Sequence, residues 1–174
     1  GLSRRVTVYG QGPDFDKAFN MNVAIGQYLP ADDPRNPRAF AVLGAKVHQE
    51  LFGTMSPLGA ILQVGSSRFR VIGVMAAKGQ VLGFDLDDTV FIPTARALEV
   101  FNREGVMEIQ AVYPPEFPVS LVTEDLQRIL IERHGREGRV VLLRAGRQEV
   151  QEEALATASC SEHQSVADVL DVQV

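Results

Sequence analysis

The chain has 174 residues and a formal net charge of −5, with 17 Lys and Arg against 22 Asp and Glu. It is long enough to bury a core without staples, and with no clustered positive charge it excludes the usual nucleic-acid surface. The single cysteine, Cys160, excludes an internal disulfide framework. No window reaches the roughly 20 apolar residues of a membrane-crossing helix.

The opening GLSRRVTVYG enters a strand-like run almost at once and has no start methionine, as expected of a segment cut from a longer chain. Residues 5–9 alternate polar and apolar with β-branched side chains, which predicts a strand. A short helix follows over 13–19, with Pro13 at its start and acids in its first turn, then a second strand over 23–29. Three prolines within PADDPRNPR (30–38) predict an exposed loop. A buried strand is expected over 39–43. A helix over 44–52 has Val47 and Leu51 on one face and Gly53 as its stop. Strands 60–64 and 68–75 are expected to be joined by a three-residue loop, Gly65-Ser66-Ser67. In the second of these strands Phe69, Val71 and Gly73 alternate with Arg68, Arg70 and Ile72, which places the first set inward.

Further strands are expected over 89–92 and 107–113, with Thr94 capping a helix over 95–102 between them. The longest helix is placed at 121–134, its buried stripe formed by Val122, Leu126, Ile129, Leu130 and Arg133. A last strand is expected over 140–143. Beyond it the sequence turns polar, and residues from about Arg147 onward read as a mobile tail, with weak apolar spacing through Val166, Val169 and Leu170. Strands and helices alternate at both ends of the chain around a hairpin-rich centre, so the pattern is α+β.

Motifs that could carry chemistry are few. Gly10-Gln11-Gly12 follows a strand and precedes a helix, as a dinucleotide loop does. Phe15 stands at the third glycine position, however, and Pro13 removes an amide donor, so a plain strand-to-helix turn is the better reading. No P-loop is present. Asp85-Leu86-Asp87-Asp88 is the one tight acidic cluster. It lacks the glycine and distal glutamate of a calcium loop, and aspartates before a strand commonly bond their own backbone. His48, His134 and His163 form no metal-ligand spacing, and His48 and His134 read as structural. Ser66 lacks a nucleophile elbow, and Cys160 beside His163 sits in a segment too polar to promise a rigid catalytic pair. No catalytic, cofactor-binding or metal-ligating residue is assigned, no cofactor is expected, and an enzyme whose Asp85, Asp87 and His48 converge in space is the least favoured reading.

In order and spacing, VTVYGQGPDFDKAF, AVLGAKVHQELFG, SPLGAILQVGSSRFRVIGVMAAKG, GFDLDDTVFIPTARA and LQRILIERHG resemble one family. It is the MacB-like periplasmic core domain of ABC-transporter permeases, whose relatives include LolC/LolE and FtsX-type proteins, and the likeness runs from about Val6 to Leu143. The resemblance implies a periplasmic domain of an inner-membrane protein, set between the first and second transmembrane helices. It implies residues 1–145 as that domain, in two lobes, one of strand–helix units and the other a mostly β, hairpin-rich insertion near 25–93. Residues 146–174 are a poorly matching tail, where the family would return to the membrane by a helix that residues 166–174 suggest only faintly. The implied role is non-catalytic: to carry motion from a separate ABC ATPase and the transmembrane helices to an exported substrate, a periplasmic adaptor protein or a lipoprotein. The alternative is a module that binds a small molecule or lipid in an apolar groove between the lobes. No nucleic-acid partner is expected.

Overall fold

The computed structural model describes residues 2–33, 35–81, 83–106, 109–134, 140–144, 153–154 and 168–174. In chain order the elements are β1 (Ser3–Gln11), α1 (Phe15–Ala18), β2 (Val23–Gly26), β3 (Phe40–Leu43), α2 (Ala45–Phe52), β4 (Ile61–Val64), β5 (Ser67–Met75), β6 (Gln80–Val81), β7 (Phe84–Asp85), β8 (Thr89–Pro93), α3 (Thr94–Val100), β9 (Ile109–Tyr113), α4 (Val119–His134), β10 (Val140–Arg144), β11 (Glu153–Ala154) and β12 (Asp168–Gln173). The fold is α+β, in two compact units: residues 1–106 with 165–174, and residues 107–164.

The first unit is organised by one sheet in the order β2-β5-β3-β8-β1-β12-β4, and β4 pairs β5 as well. That extra pairing closes the sheet into a ring of six strands. β2 is bonded to the far half of β5, at Gly73 to Met75. Closure follows from period-two burial. Val6 and Val8 of β1, Leu62 and Val64 of β4, Phe69 and Val71 of β5, Val90 and Ile92 of β8 and Val172 of β12 all join one core with Val47, Leu51 and Phe52 of α2. Burying each large apolar side chain contributes about 2 kcal/mol.

β8 is buried at Thr89, Val90, Phe91 and Ile92 in succession, because its second face is covered too. The Phe15 and Tyr28 rings stand 5.7 and 6.3 Å from that of Phe91. The unbroken apolar run in the sequence is the signature of a strand covered on both faces.

Several expectations change. Within residues 25–93, the span read as a β insertion, β3, β4, β5 and β8 belong to the same sheet as β1 and β12, and β6 and β7 pair as a separate two-stranded sheet. In the expected tail, Asp168–Gln173 is a strand set between β1 and β4, where a helix returning to the membrane had been anticipated. Gly65 and Ser66 alone make the β4–β5 turn, since Val64 and Ser67 pair. Gly65, at φ 58°, takes the first position of a two-residue hairpin, where type II′ turns favour glycine. Thr94 is the first residue of α3, not its cap, and Pro93 precedes it. Alternation along β5 also breaks. The register against β3 shifts between Ala41/Val71 and Val42/Gly73, a bulge that turns Val74 into the core beside Val71. Gly73 therefore faces the Gln27 carbonyl, where a Cβ would collide.

In the second unit, β9 and β10 are parallel neighbours, connected through α4, and β11 runs antiparallel on the other side of β10. The half-buried stripe of α4 is Val119, Val122, Thr123, Leu126, Gln127 and Leu130. Ile129 and Arg133, expected in that stripe, are exposed. The helix is turned so that two polar residues, Thr123 and Gln127, share the covered side.

Candidate functional site

The acidic run before β8 is where the structure spends its polar chemistry. Asp85 Oδ1 accepts the backbone N–H groups of Asp87 and Asp88 at 3.1 and 3.3 Å, and the Asp85 carbonyl accepts the buried Thr89 hydroxyl at 2.7 Å. The Asp87 carboxylate accepts the N–H groups of Lys78 and Gly79 at 2.7 and 2.9 Å, closing the loop that carries β6 and β7. These are the self-bonding turns that aspartates favour.

The backbone of the same loop caps α2. The Asp87 carbonyl accepts the N–H groups of Lys46 and Val47 at 3.0 and 3.3 Å. Gly44 offers no side-chain cap, so this carbonyl satisfies donors that a helix start otherwise leaves open. The approach requires glycine: a Cβ at residue 44 would run into the carbonyls of Leu86 and Asp87.

Asp88 binds outward, to two other elements. Arg4 of β1 meets it twice: Nη2 donates a hydrogen bond to Oδ2 at 2.8 Å, and Nη1 stands 2.8 Å from Oδ1 as an ion-pair contact without hydrogen-bond geometry. Arg4 Nε meets Glu50 of α2 at 2.8 Å, and Lys46 Nζ meets Asp88 Oδ2 at 2.8 Å. The Arg4 and Asp88 side chains are 18% and 23% exposed, enough shielding for their charge-assisted bond to hold geometry. The bond from Asp88 raises the Lys46 ammonium above its ordinary value. Sequence reasoning passed over Arg4, Lys46 and Glu50. The signal was there, however: Arg4 shares strand parity with the buried Val6 and Val8, so a cation there needs partners.

The other sequence candidates go elsewhere. A Cβ on Gly10 would collide with Ala97 of α3, whereas Gly12 faces open space; the first glycine serves strand–helix packing. His48 Nε2 lies 3.0 Å from the Met55 carbonyl and its ring stacks near Phe52. Ser66 is an exposed turn residue. Cys160, His163 and the side chain of His134 lie outside the described residues. Asp85, Asp87 and His48 thus each serve the backbone, and among the described residues no group of three His, Cys, Asp or Glu could hold a metal ion. A recess of about 180 Å³ lies between Arg5, Thr7 and Tyr9 of β1 and Phe84, Asp85 and Asp88. Both carboxylates that line it are the ones just described. Burial, with Asp16 nearby, pushes the Tyr28 hydroxyl far above its usual range.

A closed sheet whose helix cap, acidic loop and first strand are tied in one ionic junction defines a module of α+β class. The comparisons give it a family: the MacB-like periplasmic core domain profile matches residues 1–129, and the chain belongs to that family. It is 28% identical over 128 residues to the macrolide export ATP-binding/permease protein MacB of Bdellovibrio bacteriovorus, covering 73% of this chain and 20% of that protein. To the pyoverdine export ATP-binding/permease protein PvdT of Pseudomonas aeruginosa it is 33% identical, over 70% of this chain and 17% of that one. The chain thus spans about a fifth of the length of such relatives. The fold matches the periplasmic region of MacB from Actinobacillus actinomycetemcomitans at a TM-score of 0.55 and 17% identity, over 78% of this chain and 66% of that one. The extracellular domain of the transporter YknZ gives 0.52 and 17%, over 78% and 74%.

Proposed function

We propose that the chain is the extracytoplasmic domain of an ABC-transporter permease, seated on the periplasmic side of the inner membrane and without catalysis of its own. It carries ATP-driven motion of the transmembrane helices to an exported substrate, or to an adaptor protein or lipoprotein that receives it. The observation that carries this reading is the ionic junction. The sequence blocks that resemble the family most, AVLG with its helix and DDTVFIP, meet there through Gly44, Lys46, Asp87 and Asp88. Their polar groups are engaged in holding elements together, as force transmission requires and as catalysis does not.

The test uses the longer permease that contains this segment, in vesicles, with ATP hydrolysis and export measured separately. Excision of residues 1–174 is expected to abolish export while ATP is still hydrolysed. Export that persists would overturn the reading, as would ATP hydrolysis by the purified chain.

A further inference from the structure

The register of β1 carries an asymmetry. Its ladder with β12 covers Ser3↔Gln173 through Val8↔Asp168, but its ladder with β8 starts only at Thr7↔Thr89. Residues 3–6 therefore have a backbone partner on one side alone. On the open side stands Asp88, the residue before β8, and the Arg4 guanidinium reaches it with one hydrogen bond and one ion-pair contact, each at 2.8 Å, while its Nε reaches Glu50.

The two ends of this strand pair also lie together. The Val174 N–H donates to the Leu2 carbonyl at 3.1 Å, so anything attached before β1 and after β12 leaves the unit at one point. Forces that draw two such attachments apart load an antiparallel pair from its end, one hydrogen bond after another. That is the weakest way to load a ladder, because the bonds do not share the force.

We propose that the Arg4 fork is a mechanical clamp: it diverts force entering at the start of β1 away from the β1–β12 seam and into α2 and the loop before β8. The inference rests on the permease reading, in which the transmembrane parts lie beyond these two strands. Arg4 lies one residue inside the seam's first pair, where opening would begin. Its partners are anchored in turn, Asp88 in the loop whose Asp87 carbonyl caps α2, and Glu50 in α2 itself. A lysine could reach one acceptor but not present the planar fork that grips Asp88 while Nε holds Glu50.

The test is single-molecule pulling on the chain with Cys160→Ser as background. Handles sit at Leu2→Cys and Val174→Cys in one geometry. In the other they sit at Ser66→Cys and Asn102→Cys, both exposed positions of the same unit. Arg4→Met is expected to speed unfolding about tenfold when force enters at 2 and 174, and about twofold or less in the other geometry, since a charge-assisted fork is lost only from the first force path. Lys46→Met, which removes a partner of Asp88 but no link to β1, is expected to change neither rate. Equal acceleration in both geometries, no acceleration at the termini, or a Lys46→Met effect matching that of Arg4→Met would each overturn the clamp. Where Arg4→Met yields too little folded protein, Arg4→Lys, which keeps the charge and forfeits the fork, decides by the same two geometries. Failure here removes the clamp and leaves the permease reading standing; that reading fails only through export by the longer protein.

Discussion

The two compact units are built from the same kinds of element and differ in what they bury. In residues 1–106 with 165–174, strands such as β3 and β8 are covered on both faces and a ring of strands encloses Phe69, Val71, Val90 and Val172. In residues 107–164, Tyr113 is the one apolar side chain below a tenth exposed among the described residues, while Val112, Leu121, Ile129 and Ile131 stand 50%, 54%, 44% and 46% exposed. α4 lays a stripe that includes Thr123 and Gln127 along its covered side. A closed sheet gives every inward side chain neighbours all round, whereas a helix over three strands gives them on one side. Apolar burial dominates stability, so a substitution should be felt far more in the first unit than in the second.

The largest contrast is expected between Val71→Asp and Ile129→Asp. Val71 is 1% exposed within the ring, and an unpaired carboxylate there costs several kcal/mol, comparable to the whole stability of a small domain. Ile129 on the outside of α4 should tolerate the same change within about 0.5 kcal/mol. Circular dichroism and urea unfolding of both variants check this, and equal losses would remove the distinction between the units. Next in size is Gly44→Val. Its Cβ would push the Leu86 and Asp87 carbonyls off the start of α2, at a cost of about 3 kcal/mol, read as a drop in the urea midpoint.

Much of the first unit was legible because its signals are local. Alternating valines in β1, the unbroken run in β8, Gly53 ending α2 at φ 61° and glycine at the β4–β5 turn each act within a few residues. What stayed hidden is non-local. Nothing in VADVLDVQV states that its strand lies beside β1, more than 160 residues earlier, and Asp168 and Asp171 interrupt the alternation that would have marked it. The ring makes sense of it: Val172 faces Val64 and the core. The same holds for the junction. Asp85, Asp87 and Asp88 were visible as a cluster and their turn role was legible, but the partners of Asp88 lie 42 and 84 residues away. The bulge in β5 was hidden for another reason: a parity change leaves the residue types on both sides equally strand-like.

A smaller effect is expected from Asp87→Ala. Two N–H groups of the loop, on Lys78 and Gly79, lose a carboxylate acceptor. Bonds to a charged group contribute more than neutral ones, but water can reach this half-buried site, so the loss should be about 2 kcal/mol. The carbonyl that caps α2 is untouched. Amide exchange should therefore quicken at residues 78–81 and stay unchanged in α2, a pattern that separates the loop's own bonds from the cap. Acceleration in both would show that the loop and α2 open as one.

The smallest effect compares an acid in each unit. Asp32 is 19% exposed and accepts the N–H groups of Arg38 and Asp33 together with the Arg38 guanidinium. The Arg38 N–H, chief among these donors, holds its carboxyl below the ordinary carboxylate value. Asp125 of α4 pairs with Arg128, and both side chains are about two-thirds exposed. A carboxyl lowered in the folded state adds stability that is present above its ordinary value and is lost as pH falls through the lowered one. Asp32→Asn should accordingly differ from the parent chain in neutral solution, with the difference shrinking as acid protonates Asp32. Asp125→Asn should match the parent throughout, since exposed pairs on a helix contribute almost nothing measurable. Urea unfolding across a pH series resolves the two. An Asp32→Asn difference that persists at low pH would mean that the shape and hydrogen bonding of the side chain, rather than its charge, hold that loop in place.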